Sequence, residues 1–328
     1  MDFGLDKKHE MARTLFKEFA ENEVKPLAQE VDETEVFPRA TVEKMAKYGF
    51  LGIPVPKEYE GQGCDPLTYV MCVEELAKVC ATTSVIVSAH TSLCIDPILT
   101  YGTPEQKAKY VPDLASGRKL GAFGLTEPGA GTDAQGQQTK AVLDGDEWVL
   151  NGSKCFITNG SIASFYSVAA LTENGEGKKE ISMFFVRADA EGVKAGGHED
   201  KMGIRTSDTC DVIFENVLVP ERNRIGMEGQ GFETAMKALD EARAFMGCVA
   251  VGIAQRALEE AVAYTAIRKQ FGKPLNRNQG MQFKLAGMAM QTEAGRQMTA
   301  YALTRMEQGI SFKKEAAMAK CCASDAAV

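Results

Sequence analysis

The pattern of apolar and polar positions divides the chain into a helical part, a β part and a second helical part. In residues 1–118, apolar side chains recur every three to four positions, as at Met11 and Leu15, which is the period of an α-helix. In residues 119–227 the period shortens to two, which is typical of half-buried strands. In residues 228–328 the helical period returns. The pattern predicts an α+β fold with an N-terminal helical domain, a middle β domain and a C-terminal helical bundle at these ranges.

Proline, glycine and capping residues set the expected helices of the first domain. A helical signal runs from Met11 past Pro26, and the Pro- and Gly-rich residues 52–63 predict a loop. Thr103 precedes a proline at the first helical position, which is a typical helix start. Further helices are predicted at 38–49, 66–79 and 82–101.

The middle domain shows six short strand signals, which favour a small barrel or a sandwich. Turn signals such as Asp144-Gly145 and Asn174-Gly175 separate them. The predicted strands are 120–125, 140–143, 147–151, 165–171, 181–187 and 212–219.

The last domain begins with a long apolar helix that is expected to run from 229 to 267. A loop at 272–276 and a second long helix at 279–308 follow. A third helix is expected from 312 to 328, where no cap glycine, basic last turn or proline closes it. We therefore expect the chain to end before its domain does.

Composition narrows the classes of protein that fit. The chain has 328 residues and a formal net charge of -8, which argues against nucleic-acid and anionic-membrane partners. Its nine cysteines show neither a zinc spacing nor a secreted disulfide framework, so no metal site is predicted. We find no apolar run of membrane-spanning length and no signal or transit segment, which makes the cytoplasm the expected location.

A Gly- and Pro-rich turn follows a short apolar strand signal in residues 121–133, GAFGLTEPGAGTD. Glycine permits positive φ and close backbone approach, and the hydroxyls of Thr126 and Thr132 add donors at the same rim. Such a loop suits an oxygen-rich ligand, for instance a flavin edge or a phosphate. The composition equally fits a hairpin turn without a ligand, and spacing alone leaves both open. Neither GK[ST] nor GxGxxG occurs here, which excludes a Walker loop and a dinucleotide fingerprint.

Five motifs in a fixed order make the chain similar to the acyl-CoA dehydrogenase family, particularly to its short-chain (butyryl-CoA) members. They are GLTEPGAGTD from Gly124, NGSKCFITNG from Asn151, KMGIRTSDT from Lys201, FENVLVP from Phe214 and RKQFGKPL from Arg268. The resemblance covers the whole chain. It implies the family fold, with an incomplete C-terminus, and an FAD whose ring lies between the β domain and the C-terminal helices.

The resemblance also implies roles for individual residues. Asp240 and Arg243 match the family's acyl-CoA contacts, and Thr132 contacts flavin or substrate. Bulk at Ala242, Phe245 and Met246 either reshapes the acyl pocket or fills the helix core. The residues expected to bind FAD are Phe123, Leu125, Thr126, Thr132, Phe156, Ile157, Thr158, Arg268, Phe271 and Gln279, of which Arg268 and Gln279 reach a neighbouring subunit's flavin in the family.

No residue of the chain is assigned as the catalytic base. In most of the family the base is a Glu in a YEG-type motif, which is expected beyond Val328. For Glu127 a turn-stabilising role is favoured over catalysis. For Asp96 a hydrogen bond within its helix is favoured, and for His90 a packed, hydrogen-bonded place in the core.

The implied function is α,β-desaturation of a short acyl-CoA to the trans-2-enoyl-CoA, as in fatty-acid β-oxidation. The β-hydrogen would leave as hydride to flavin N5, and an electron-transferring flavoprotein would take the electrons. A homotetramer, built as a dimer of dimers, is the family's usual assembly. Two alternatives stay open: a catalytically silent flavin- or CoA-binding chain, and a flavin enzyme acting as an enoyl-CoA reductase or an acyl-CoA oxidase.

Overall fold

The computed structural model describes residues 5–173 and 177–328, which group into two compact units. The helical unit comprises the described residues through Glu30, Asp65–Val85 and Arg243–Val328. The sheet unit comprises Val31–Cys64 and Ile86–Ala242. The domain boundaries expected near residues 118 and 227 stay predictions.

Helices account for most of the described chain before residue 116, as the periodicity predicts. Asp65 caps α4 by accepting a hydrogen bond from Thr68 N at 2.7 Å, and Thr103 forms a capping box with Gln106 at the start of α7. Short π-helical segments, Ala20–Val24 and Ala89–Ile95, interrupt the long runs. The helices are α1 Lys7–Phe19, α2 Lys25–Thr34, α3 Arg39–Lys47, α4 Pro66–Ala77, α5 Ala81–Ser88, α6 Asp96–Tyr101 and α7 Pro104–Ala115.

The middle β domain is confirmed, and the described residues form one mixed, eight-stranded sheet. The strand order is β6-β7-β3-β2-β4-β5-β8, and β1 pairs in parallel with β4. The order has two ends, so the described residues do not close a barrel. The strands are β1 Gly121–Gly124, β2 Lys140–Asp144, β3 Glu147–Thr158, β4 Phe165–Glu173, β5 Lys179–Arg187, β6 Val193–His198, β7 Thr209–Pro220 and β8 Arg224–Ile225.

Three details of the sheet differ from the sequence prediction. Strand β3 continues seven residues beyond the predicted end at Asn151, and β6 and β8 were not predicted. Strand β6 contains Gly196 and Gly197 and is mostly exposed, so it lacks the apolar alternation that reveals a strand. The turn expected at Asn174-Gly175 lies outside the described residues.

The sheet is buried on both faces along its central strands. On β4, Phe165 and Ala169 belong to one apolar cluster, whereas Tyr166, Val168 and Ala170 belong to another. Alternate residues of a strand point to opposite faces, so both clusters draw on the same strands. The sheet therefore supports its loops from a core on each side.

The last part of the chain is helical, with a small hairpin after the first helix. The long helix was expected to end at Ile267, and it does; the second ends one residue before the expected position. None of the described helices is both long enough and apolar enough to span a membrane. The elements are α8 Gly231–Ile267, β9 Lys269–Gln270, β10 Lys273–Pro274, α9 Gln279–Glu307 and α10 Lys313–Ala327.

Buried charges and aromatic rings hold the helical unit together. Tyr69 on α4 meets Phe245 on α8 edge to face, with ring centroids 4.9 Å apart. Arg296 on α9 donates to Glu74 Oε1 on α4 at 3.0 Å and to Gln255 Oε1 on α8 at 2.9 Å. Phe245 is 5% exposed, which favours the core-filling interpretation of its bulk.

Candidate functional site

The Gly-rich segment leaves β1 as a tight turn with an exposed tip. Glu127 and Ala130 exchange backbone hydrogen bonds of 3.2 and 3.0 Å, which closes the turn. Thr132 is exposed, as are Gly129 and Gly131. Apart from chain neighbours, no described atom lies within 4 Å of where a Cβ of either glycine would be. The backbone of the tip is therefore open to an approaching ligand.

The base of this turn rests on a fully buried lysine of β3. Lys154 is 0% exposed, and its Nζ donates to the Leu125 carbonyl oxygen, to Glu127 Oε1 and to Gln137 Oε1 at 3.1, 2.7 and 2.8 Å. Burial lowers the pKa of Lys154 to about 8, while Glu127 counteracts that effect. The ammonium form is thus retained at neutral pH.

Glu127 has the turn-stabilising role that the sequence favours. Its carboxylate accepts hydrogen bonds from the backbone N–H groups of Gln138 and Thr139 at 2.6 and 3.1 Å, besides that from Lys154. Burial on its own would raise the pKa of Glu127, but these hydrogen bonds outweigh it and lower the pKa. Both carboxylate oxygens are occupied by hydrogen bonds within the protein, which favours a structural role for Glu127 over proton transfer.

A β-bulge in β3 turns one aromatic side chain outward. The pairing of β3 with β7 shifts by one residue between Lys154 and Ile157, so β3 carries an extra residue there. Phe156 adopts φ 57° and is 63% exposed, while Ile157 is 2% exposed. A bulky residue with positive φ is uncommon, and such outliers cluster at ligand sites.

The two segments lie side by side at one rim of the sheet unit. The Cys155 N–H donates to the Thr126 carbonyl oxygen at 2.9 Å, which joins the turn to the bulge. Thr158 ends β3 and is half-buried, as is Thr126. Among the described residues, the hydroxyls of Thr126, Thr132 and Thr158 have no hydrogen-bond partner. Free hydroxyls beside an exposed aromatic ring fit FAD, whose ring offers both polar edges and a flat face.

Three other residues expected to bind FAD lie nearby but are less open. Leu125 is 7% exposed and belongs to one apolar cluster of the sheet, against which the half-buried Phe123 packs. Ile157 belongs to the cluster on the other face. Any contact of Leu125 or Ile157 with a ligand would therefore pass through the backbone.

The remaining residues expected to bind FAD belong to the helical unit. Arg268 follows α8, and its carbonyl oxygen accepts a hydrogen bond from Leu275 N at 2.9 Å across the β9–β10 hairpin. Phe271 at the hairpin tip has φ 52° and is 94% exposed. Gln279 begins α9 and is exposed. An exposed aromatic residue with positive φ gains nothing from its own core, so it is placed for an external contact.

The two residues expected to bind acyl-CoA lie on α8, where Asp240 and Arg243 are both half-buried. Glu241 lies between them in sequence. Burial, together with the charges of Asp96 and Asp240, raises the pKa of Glu241 to about 8. Burial also raises the pKa of Asp96 to about 6, although Thr100 Oγ1 donates to Asp96 Oδ1 at 3.3 Å. The hydrogen bond predicted within the helix is present, but Asp96 also interacts with Glu241.

His90 occupies the hydrogen-bonded core position that the sequence favours. Its Nδ1 accepts from the Gly121 N–H at 2.9 Å, so Nε2 carries the proton that is donated to the Leu114 carbonyl oxygen at 3.0 Å. Burial lowers the pKa of His90 to about 4. In the part of the chain that the structure describes, no three His, Cys, Asp or Glu side chains form a group able to hold a metal ion.

Sequence reasoning missed Lys154 and Glu241. Lys154 shares the inward parity of Trp148 and Leu150 on β3, but the predicted strand ended at Asn151 and did not reach it. A lysine at an inward position requires a buried partner. No such signal existed for Glu241, because its burial and its closeness to Asp96 both depend on contacts between residues far apart in sequence.

Comparison with known proteins covers nearly the whole chain. Three family models match: the N-terminal domain of acyl-CoA dehydrogenase at residues 6–118, its middle domain at 122–217 and its C-terminal domain at 229–328. The short-chain specific acyl-CoA dehydrogenase of Clostridium acetobutylicum is 49% identical over 100% of this chain and 86% of its own length. The acryloyl-CoA reductase (NADH) of Anaerotignum propionicum is 44% identical over 99% and 83%.

Solved structures give the same assignment. The butyryl-CoA dehydrogenase of Megasphaera elsdenii superposes with a TM-score of 0.96 and 43% identity, over 99% of this chain and 86% of that one. A chain from work on the electron transferring flavoprotein of Acidaminococcus fermentans and flavin-based electron bifurcation gives 0.97 and 46%, over 99% and 86%. The chain therefore belongs to the acyl-CoA dehydrogenase family, as its motifs predict, and is an oxidoreductase acting on acyl-CoA.

Proposed function

We propose that the protein is an FAD-dependent dehydrogenase that converts a short-chain acyl-CoA to its trans-2-enoyl-CoA. The observation that carries the proposal is the rim where the turn after β1 meets the β3 bulge. The turn and the bulge carry three threonine hydroxyls without a partner among the described residues, and they carry the exposed Phe156, which has an unfavourable φ. Strain at an exposed aromatic residue is retained where it serves binding.

Each part of the rim has a definite task in this proposal. Thr126, Thr132 and the open backbone of the turn donate to the polar edge of the cofactor. Thr158 donates at the end of β3, and Phe156 covers the ring and excludes water. FAD, when bound, supplies the two-electron acceptor for the hydride that leaves the acyl β-carbon.

The acyl-CoA is bound by α8 in this proposal. Asp240 offers acceptor oxygens to the thioester portion, and Arg243 offers a planar, charged donor. Arg268 and Gln279 bind the pyrophosphate and adenosine of FAD in a neighbouring copy, and Phe271 packs beside them. This arrangement requires an oligomer, and a homotetramer is proposed. The group that removes the α-proton is not assigned to a described residue.

An electron-transferring flavoprotein is the proposed electron acceptor. A chain from structural work on such a flavoprotein is 46% identical to this one, which supports the choice. The short-chain preference is supported by the butyryl-CoA dehydrogenase and by the short-chain specific relative. A cytoplasmic location stays a prediction.

The test is flavin bleaching with a panel of acyl-CoA substrates. Purified protein reconstituted with FAD is expected to be yellow and to lose its absorbance near about 450 nm when butyryl-CoA is added. Longer acyl chains are expected to bleach it more slowly. Protein that takes up no FAD would contradict the proposal, and a flavin left unbleached by every acyl-CoA would favour a catalytically silent binding protein.

A reductase is the second candidate, because the relative from Anaerotignum propionicum is named an acryloyl-CoA reductase (NADH). The two directions differ in what reoxidises or reduces the flavin. Reduced protein that is reoxidised rapidly by a short enoyl-CoA, but only slowly by an electron-transferring flavoprotein, would favour the reductase. Oxygen consumption during turnover would identify an oxidase.

A further inference from the structure

Lys154 contacts both ends of the turn that follows β1. One of its acceptors, the Leu125 carbonyl oxygen, lies where the chain enters the turn, and another, Gln137 Oε1, lies where the chain leaves it. The third acceptor, Glu127 Oε1, lies between them at 2.7 Å. A single cation therefore joins the whole segment from below.

Stability alone does not explain a lysine at this position. Moving an ammonium and a carboxylate out of water costs several kcal/mol, and replacing a buried ion pair by apolar side chains of similar volume is often neutral or stabilising. A buried pair does, however, restrict the conformations available, because each charge has to meet its partner. The pair of Lys154 and Glu127 thus favours one arrangement of the turn over others.

The contacts stop where the exposed tip begins. Glu127 also accepts from the backbone of Gln138 and Thr139, so the base of the turn is fixed at four backbone or side-chain positions. Gly129, Gly131 and Thr132 at the tip stay exposed. A rigid base below an open tip is the arrangement that preorganises a binding loop.

We propose that Lys154 is a positioning residue for FAD, which holds this turn in its flavin-binding form without contacting the flavin. The inference rests on the proposed function, because it presupposes FAD at this turn. Lys154 is 0% exposed, so its effect on a ligand passes through Leu125, Glu127 and Gln137. Removing the ammonium group should weaken FAD binding even in a correctly folded protein.

The experiment measures the Kd of apoprotein for FAD by flavin fluorescence, together with the visible circular dichroism of the bound flavin. In the double variant Lys154→Met/Glu127→Gln both charges are removed, so no uncompensated buried charge is left to unfold the chain. We expect its Kd for FAD to rise by about tenfold or more, which corresponds to the loss of one charge-assisted hydrogen bond. The flavin dichroism should change as well, because the turn no longer holds one geometry.

Two further variants make the result specific. Glu127→Gln alone removes the countercharge of the buried Lys154 and one of the two oxygens that accept from Gln138 N and Thr139 N, so its Kd for FAD is expected to rise as well. Lys194→Met removes an exposed partner of Glu215 in the same unit, a 2.7 Å pair with both side chains more than half exposed, and should leave the Kd unchanged.

A double variant with wild-type Kd and dichroism would overturn the positioning role while leaving the proposed function intact. Equal losses in the double variant and in Lys194→Met would overturn it too, since the effect would not depend on the turn. Wild-type protein that binds no FAD would instead contradict the proposed function, and the inference with it.

Discussion

The carboxyl groups of Asp96 and Glu241 interact within the sheet unit, and the pKa of each is raised. A carboxyl group whose pKa is higher in the folded state binds more protons there than in the unfolded chain. The contribution of Glu241 to stability is therefore complete below its ordinary pKa of 4.5. It is lost as the pH rises toward the folded-state pKa of about 8. We expect Glu241→Gln to flatten this dependence and to be more stable than the wild type by about 1–2 kcal/mol near the upper limit.

Urea unfolding between about pH 5 and about pH 8 measures this effect. A suitable control is Glu233→Gln, which changes a carboxylate on the same helix whose side chain is 66% exposed. Parallel pH profiles for Glu241→Gln and the wild type would show that the Glu241 carboxyl does not titrate abnormally.

Single residues also show how far sequence could predict the candidate site. The motifs identified Thr126, Phe156 and Thr158, and the structure brings all three to one rim. The backbone strain at Phe156 was beyond prediction, because a bulge depends on the register of β7 opposite it. Lys154 lies beyond the predicted end of its strand, and its three acceptors come from a loop whose path no periodicity describes.

At the scale of elements, His90 joins the start of β1 to the end of α7. It lies in the π-helical segment Ala89–Ile95. Its ring binds the Leu114 carbonyl oxygen and the Gly121 N–H. His90→Leu would leave the Gly121 N–H buried and unpaired, whereas the Leu114 carbonyl oxygen would still accept from Gly117 N, so we expect a loss of about 1–3 kcal/mol at neutral pH. The measurement is the free energy of unfolding in urea at about pH 7 and about pH 4.5.

The pH dependence of this loss has a definite sign. Because the folded pKa of His90 is lowered to about 4 from 6.5, the unfolded chain binds more protons between these values. Wild-type stability therefore decreases as the pH is lowered across this interval. The difference in the free energy of unfolding between the wild type and His90→Leu should then become smaller. His198→Gln, at a 64% exposed histidine, serves as the control. A gap that stays constant with pH would contradict the assignment of a neutral, buried imidazole.

The elements were predictable where burial imposed a helical period, as on α8, or left a short apolar run, as on β4, which is buried on both faces. They were not predictable where contacts distant in sequence decide. Strand β6 pairs with β7 although its own residues are mostly exposed. Likewise β3 extends to Thr158 because β7 continues opposite it, although Gly152 breaks the apolar alternation.

For the whole molecule, the proposed cofactor should act as a stabiliser. A ligand that binds only the folded state adds about 2.7 kcal/mol at 100 times its Kd. Apoprotein titrated with FAD should therefore unfold at a temperature several degrees higher, measured by calorimetry or dichroism. Riboflavin, which lacks the phosphates and adenosine, is expected to shift it less. An unfolding temperature that does not change when FAD is added would contradict the proposed cofactor binding.

For the whole molecule, the sequence predicts the fold better than it predicts the candidate site. The order of helical, β and helical parts can be predicted because the period of apolar residues changes between stretches of about a hundred residues each. The choice between a sandwich, a barrel and the observed open sheet depends instead on which strands pair across the chain. Periodicity carries no information on that pairing.

The bulge in β3 has a consequence for mutation and for descent. The extra residue shifts the alternation of side chains along β3 by one position. Before the bulge the buried Lys154 has an even residue number, and after it the buried Ile157 has an odd one. Deletion of Phe156 would remove this register shift from the ladder with β7, while the shift between Leu150 and Gly152 would stay. The strand would survive such a deletion, and the outward-facing ring would not. A lineage could thus lose, in one step, the ring that is proposed to cover the flavin while keeping its architecture.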